Sequence, residues 1–276
     1  MNSLSPLTSP LVWLSVTCLD APLVAISWQW LFARTFHARI DLAERAVLFL
    51  TAWAIYLLDR IGDSFSSVQS SDVSLRQTFC LQHRGVMILI VALIVPADAT
   101  YALIALNRET LLCGAIVGAL IGCYLAINHC VPALWKTAPV KELSIGFLFA
   151  LGVVSSTLHG GFAFAAATLL FGTLCALNCL SISVWEMPLD RAQHRVSFAT
   201  VLPAWRRLPE TGCWLLAVTA MAVASTGRLQ PLLLCITAAA VLLDLLHRFS
   251  GLSRDNRVAM ADIVLLTPLV FLAAQM

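Results

Sequence analysis

Two groups of carboxylates stand where long apolar runs end. The stretch Tyr56-Leu57-Leu58-Asp59-Arg60-Ile61-Gly62-Asp63 closes one run and carries Asp59 and Asp63 four residues apart. On a helix that spacing stacks both carboxylates on one face. A second run closes with Asn178, Glu186 and Asp190, again with two acids four residues apart. Charge at the end of a membrane helix is costly, so a helix that keeps two acids there is a functional candidate. A carboxylate pair of this kind suits a hard cation: Mg²⁺ takes one or two protein carboxylates and completes its shell with water and phosphate oxygens. Two such helix ends facing each other, with arginines and lysines around them, would suit a diphosphate. The plain alternative for either pair alone is a solvated helix end paired with its neighbour, Arg60 or Arg191.

The elements that must position these residues are membrane helices. The chain of 276 residues is 60% hydrophobic and 12% charged, about half the charged share of soluble domains. Apolar runs of about 20 residues, the length that crosses a bilayer as a helix, recur from end to end. They predict nine helices at 9–33, 43–63, 85–106, 111–131, 141–158, 161–187, 210–227, 230–248 and 258–275. Two connections are long, 64–84 and 188–209, and no stretch is long enough for a separate soluble domain, so residues 1–276 form one domain. The N-terminus lacks a positive leader and a cleavage site, and reads as the first membrane helix.

With nine spans, five of the 17 Lys and Arg (Arg34, Arg39, Arg45, Arg108 and Arg228) fall on one side and the others on the opposite side. Cytoplasmic loops carry the excess of Lys and Arg. This puts the N-terminus in the cytoplasm and the C-terminus outside. Both acidic helix ends and both long loops then share the cytoplasmic face. The second and sixth helices each end in an acid pair and enter a long basic loop, which suggests two similarly oriented four-helix units. No basic stripe with interleaved aromatics points to nucleic acid. The nine cysteines are scattered, mostly inside apolar runs, and read as small apolar residues without a disulfide framework or zinc spacing.

These features resemble the UbiA-type intramembrane prenyltransferase family, in topology over nearly the whole chain and in short motifs. Asp59-x-x-x-Asp63 is similar to the later part of the family's first motif, commonly Asn-x-x-x-Asp-x-x-x-Asp. Glu186-x-x-x-Asp190 is similar to the second, commonly Asp-x-x-x-Asp. Lys136 stands where the family often has a lysine facing the diphosphate, and the segment from Lys141 and Glu142 to Gly152 resembles the start of its fifth helix. The chain departs from the pattern at Ile55, where the family usually has asparagine, and at Glu186 in place of aspartate. It departs again at Val131 and Pro132, where a tyrosine often precedes the lysine, and at Pro188 inside the second motif, which should loosen the helix. Asn178 lies two turns before Glu186 and could partly replace the missing asparagine.

The resemblance implies an all-α integral membrane protein of a bacterial inner membrane, with nine transmembrane helices in two four-helix units around a cytoplasm-facing cavity. It implies Mg²⁺-dependent transfer of a polyprenyl group from its diphosphate to a hydrophobic or aromatic acceptor. Asp59, Asp63, Glu186 and Asp190 would hold the metal and carry catalysis, with Arg60, Arg76, Arg84, Lys136, Lys141 and Asn178 on the diphosphate. Such a site stabilises the leaving diphosphate and keeps water from an allylic cation. Trp53, Tyr56 and Trp185 could face that cation, with bundle packing as the alternative. A UbiA-like protein without transferase activity, binding lipid or assisting assembly, and a small cation transporter are the competing functions. Among the remaining polar residues, Asp20 reads as a partner of the backbone freed by Pro22, with a functional role as the alternative, and Asp98 as structural or superficial; Asn128 and His129 read as interhelical hydrogen-bond partners that could also reach the cavity. His83 and Arg84 could bind phosphate. Asp244, His247, Arg248, Arg257 and Asp262 face the cytoplasmic side and could line the cavity or pair with one another.

Overall fold

The computed structural model describes residues 10–66, 73–137, 140–157, 160–225, 227, 229–249 and 251–273. Arg228 and the middle of the 64–84 connection lie outside them. So do residues 9, 158, 226, 274 and 275, which belong to the expected spans. The described residues form α-helices, one short 3₁₀ turn at Pro203–Trp205, and no strand. The helices are α1 (Pro10–Val16), α2 (Asp20–Thr35), α3 (Leu42–Ser66), α4 (Leu75–Ala105), α5 (Arg108–Cys130), α6 (Leu134–Thr137) and α7 (Lys141–Val154). They continue as α8 (Phe162–Ala192), α9 (Phe198–Val201), α10 (Leu208–Ala224), α11 (Gln230–Arg248), α12 (Arg254–Val264) and α13 (Thr267–Ala273).

Four of these helices, α4, α5, α8 and α11, are long and apolar enough to cross a membrane. The bent pair α12–α13 makes a fifth if it is one span. The other expected spans are shorter or carry more charge. The 14 residues of α7 reach only about 21 Å, and α3 holds Glu44, Arg45, Asp59, Arg60 and Asp63. The apolar windows of α4 and α5 are only 17% buried, against 56% for α8 and 50% for α11. So α8 and α11 are central, and α4 and α5 turn most of their apolar surface outward.

Two expected helices are broken, and a tryptophan stabilises each break. The run 9–33 divides between α1 and α2, with Cys18 in the left-handed region at φ 58°. The Trp53 indole N–H donates to the Thr17 carbonyl at 3.0 Å. The run 258–275 bends by 51° between α12 and α13, and the Trp28 indole N–H donates to the Leu265 carbonyl at 2.7 Å. A break in a buried helix frees carbonyls that need new donors, and indole supplies one on an apolar body.

Helix starts follow capping chemistry. Asp41 and Glu44 cap α3 reciprocally, side chain to backbone, at 2.9 and 3.0 Å. Ser74 and Gln77 form a capping box at α4, which extends that helix ten residues ahead of the expected start and places Arg76 and Gln77 on its first turn. At the other end, α8 continues through Pro188 to Ala192, so Glu186 and Asp190 stay on one helical face despite the missing N–H.

The core centres on α8. Trp28 stacks on Phe171 at 4.4 Å, and both rings are fully buried beside Leu174, Leu232 and Ile236. The helices α7 and α8 approach closely at Gly146, where a Cβ would lie 2.4 Å from the Ala176 backbone nitrogen. All nine cysteines are free thiols; five are buried, whereas Cys123 and Cys130 are exposed.

Candidate functional site

The two acidic helix ends are joined by side chains from elements distant in sequence. Arg195, just beyond α8, donates from Nη1 to Asp63 Oδ2 and from Nη2 to the Asp63 carbonyl oxygen, both at 2.9 Å. Arg76, on the first turn of α4, reaches Glu186 at 3.1 Å and Asp262 at 4.0 Å. Gln77 and Gln193 exchange amide hydrogen bonds at 3.0 Å. Asn178 donates to Asp262 at 3.0 Å, and its own side-chain oxygen is buried without a partner.

Helix α5 adds a third side. Asn128 donates to Asp59 Oδ1 at 3.2 Å, and His129 Nε2 stands 3.2 Å from the same oxygen. Gly62 makes room for this ring, because a Cβ there would lie 2.6 Å from it. Arg60 interacts electrostatically with Asp59, Asp63 and Glu186. Lys141, at the start of α7, acts on both Asp59 and Asp190. Asp190 is buried at the end of α8.

Of the expected site residues, Asp59, Arg60, Asp63, Arg76, Lys141, Asn178, Glu186 and Asp190 therefore fall in one network. Arg84 packs over the Phe65 ring at 4.8 Å, and Lys136 is exposed on the short α6, both outside it. Trp185 packs against His247 with tilted rings 4.7 Å apart and lies under Arg257, Trp53 serves the α1–α2 break, and Tyr56 lines a large cavity. Asp20 is buried, accepts from the Ala21 N–H at 2.9 Å and interacts electrostatically with Asp262. Asp244 pairs with Arg248 at 2.8 Å.

His129, Asn128, Arg195, Gln77, Gln193 and Asp262 join the network beyond the expected site residues. His129 and Asn128 stood out as polar residues closing an apolar helix, and the site lacked only the knowledge of which helix they face. Asp59, Asp63 and His129 each offer a ligand atom within 4.8 Å of the others. This donor set fits a divalent cation. Two carboxylates one turn apart match Mg²⁺, and the imidazole either joins the shell or orients Asp59 from behind. Asp59 is 39% and Asp63 23% exposed at the side chain, so both are reachable.

A large cavity begins directly beneath this cluster. Three helices each contribute a polar residue to the cluster and, one turn away, an apolar residue to the cavity: Asp59 with Ile55, His129 with Leu125, and Lys141 with Ile145. The cavity, of about 570 Å³, extends along α3 from Leu58 to Glu44, roughly 20 Å at the helical rise. Its walls are almost wholly apolar near the cluster, with Ala54, Ile55, Tyr56, Leu148 and Phe149. An apolar chain lying there would have its charged end against the carboxylates and arginines. No family model matches this chain, and no curated protein matches it, so its chemistry rests on its own residues.

Proposed function

We propose that this protein is an intramembrane prenyltransferase of the UbiA type, moving a polyprenyl group from its diphosphate to a hydrophobic or aromatic acceptor. The observation that supports this most is the joining of two acidic helix ends, Asp59–Asp63 and Glu186–Asp190, above an apolar cavity. The nine-span arrangement belongs to the same reading: two four-helix units around a cytoplasm-facing cavity, with the N-terminus inside, in a bacterial inner membrane.

In this reading Asp59 and Asp63 hold Mg²⁺, with His129 and Asn128 fixing the Asp59 carboxylate. Bound Mg²⁺ supplies positive charge to the diphosphate oxygens. Arg60, Arg76, Arg195 and Lys141 surround the same space and stabilise the charge that grows on the leaving diphosphate. Glu186 and Asp190 line its second side. The apolar walls around Ile55 and Phe149 hold the chain and exclude water from its allylic carbon. Ile55, one turn below Asp59, adds apolar wall where an asparagine would add a polar group.

The test uses purified protein in bilayer nanodiscs with Mg²⁺ and labelled geranylgeranyl diphosphate, with diphosphate release as the readout. Asp59→Asn and Asp190→Asn should each lose at least a hundredfold in rate, because each removes a charge preorganised around the reacting diphosphate. Identical release by wild type and both variants would sink the reading. A non-catalytic, lipid-binding role is favoured by one feature: Asp63 and Glu186 already pair with arginines. That reading predicts binding of the diphosphate without turnover.

A further inference from the structure

The half of the large cavity away from the acid cluster has a different chemistry. Gln29, Glu44, Thr51, Asp98, Thr110 and Ser156 all line it there. Gln29 is 1% exposed and Asp98 7%. Asp98, expected to be structural, spends one carboxylate oxygen on the Thr51 hydroxyl, while its Oδ1 is buried with no partner. Gln29 donates to Ser156 at 2.8 Å, while its Oε1 is likewise buried with no partner. Buried oxygens left unpaired cost free energy and are uncommon in folded proteins. Both residues line the cavity, so these two oxygens are the acceptors a donor entering it would satisfy.

The opposite wall is open. Gly114, Gly118 and Gly122 recur every four residues along α5, and all three line the cavity. A Cβ at any of them would meet nothing within 4 Å. A glycine stripe commonly lets two helices approach closely, but here it faces empty space. Helix α4 packs along α3 and α5 along α7, with little direct contact between α4 and α5. The flank between them, including Val95, Leu103 and Gly118, is exposed. The lining residues include two carboxylates and no Lys, Arg or His.

We propose that this half of the cavity is a binding site for an amphiphile with an apolar body and a hydrogen-bond-donating head, a hydroxyl or an amine. The head meets Gln29 and Asp98, and the body lies against the α5 glycines after entry between α4 and α5. An anionic head is excluded, since it would approach Asp98 and Glu44 with no basic side chain to compensate. The assignment goes beyond the diphosphate site and needs no metal. The head sits about 12 Å along α3 from Asp59, so this binding is separate from the transfer reading and stands without it.

The experiment measures binding of tritiated geranylgeraniol to the purified protein in nanodiscs, with EDTA present so that the metal site plays no part. Unlabelled geranylgeraniol, geranylgeranylamine and geranylgeranyl methyl ether compete. The alcohol and the amine should each outcompete the ether by about tenfold, the effect of one hydrogen bond that satisfies an otherwise unpaired group. Gln29→Leu combined with Asp98→Asn should cut that preference to threefold or less, and Gly118→Leu should weaken all three competitors together by filling the cavity. Equal competition by alcohol and ether in the wild-type protein overturns the proposal, and that arm depends on no variant folding. Preference retained in the double variant, with its melting temperature unchanged, overturns the assignment of Gln29 and Asp98.

Discussion

Two helical glycines should respond oppositely to the same substitution. At Gly146 on α7, an added Cβ would lie 2.4 Å from the Ala176 nitrogen, 2.5 Å from its Cα and 2.9 Å from its Cβ. The first two neighbours are backbone, which cannot rotate away. Ordinary carbon contacts lie at roughly 3.5–4.0 Å, so α7 must move from α8 by about 1 Å. Gly146→Ala should therefore cost about 2–3 kcal/mol, the upper part of the range for an overpacked core. The displacement also carries Lys141 and Glu142, one turn or so earlier, and Glu142 accepts from the Phe198 N–H at 2.8 Å. Misplacement by about 1 Å is enough to cost a hundredfold in a catalytic rate. At Gly118 on α5, the same Cβ meets nothing within 4 Å, and alanine is the better helix former by about 0.5–1 kcal/mol. Gly118→Ala should leave stability unchanged or slightly raised. Thermal unfolding of both variants in one detergent, followed by intrinsic tryptophan fluorescence, reads the difference. Equal melting temperatures for Gly146→Ala and wild type, or an equal fall for both variants, would refute the packing argument.

Three further outcomes follow from the same contacts. Trp28→Phe keeps the stack on Phe171 but strands the Leu265 carbonyl at the α12–α13 bend, so stability should fall by about 1–3 kcal/mol, read by denaturant titration in micelles. His129→Ala should weaken Mg²⁺ or Mn²⁺ binding by about ten- to a hundredfold, seen as loss of the metal-dependent rise in melting temperature; an unchanged rise removes His129 from the site. Arg195→Met breaks both bonds to Asp63 between partners 20% and 23% exposed. Partial burial places its cost between a surface pair and a buried one, about 2 kcal/mol, and Lys at the same position should restore only part of it, because it lacks the two-pronged geometry.

What the sequence determined by itself was local. Long apolar runs required helices, because a backbone away from water must satisfy its own hydrogen bonds. The i, i+4 spacing put Asp59 beside Asp63 and Glu186 beside Asp190 whatever the fold around them. Ser74-x-x-Gln77 was also legible as a capping box, and would have moved the start of α4 to its observed place.

What the tertiary structure decided was every relation between helices. Arg195 reaches Asp63 across 132 residues, and Arg76 reaches Glu186 across 110; no periodicity links them. A helix that is apolar nearly all round, such as α5, has no strong polar stripe to declare which side faces its neighbours. Only packing could say that His129 turns to Asp59, or that Gly118 faces a cavity while Gly146 on α7 faces the backbone of Ala176. The same holds for the breaks at Cys18 and Leu265, where a distant tryptophan supplies the donor that makes an interrupted helix tolerable. The acid pair at Asp59 and Asp63 was readable from spacing alone. Its partners, and the two-ended cavity beneath it, exist only because the helices rotate and dock as they do.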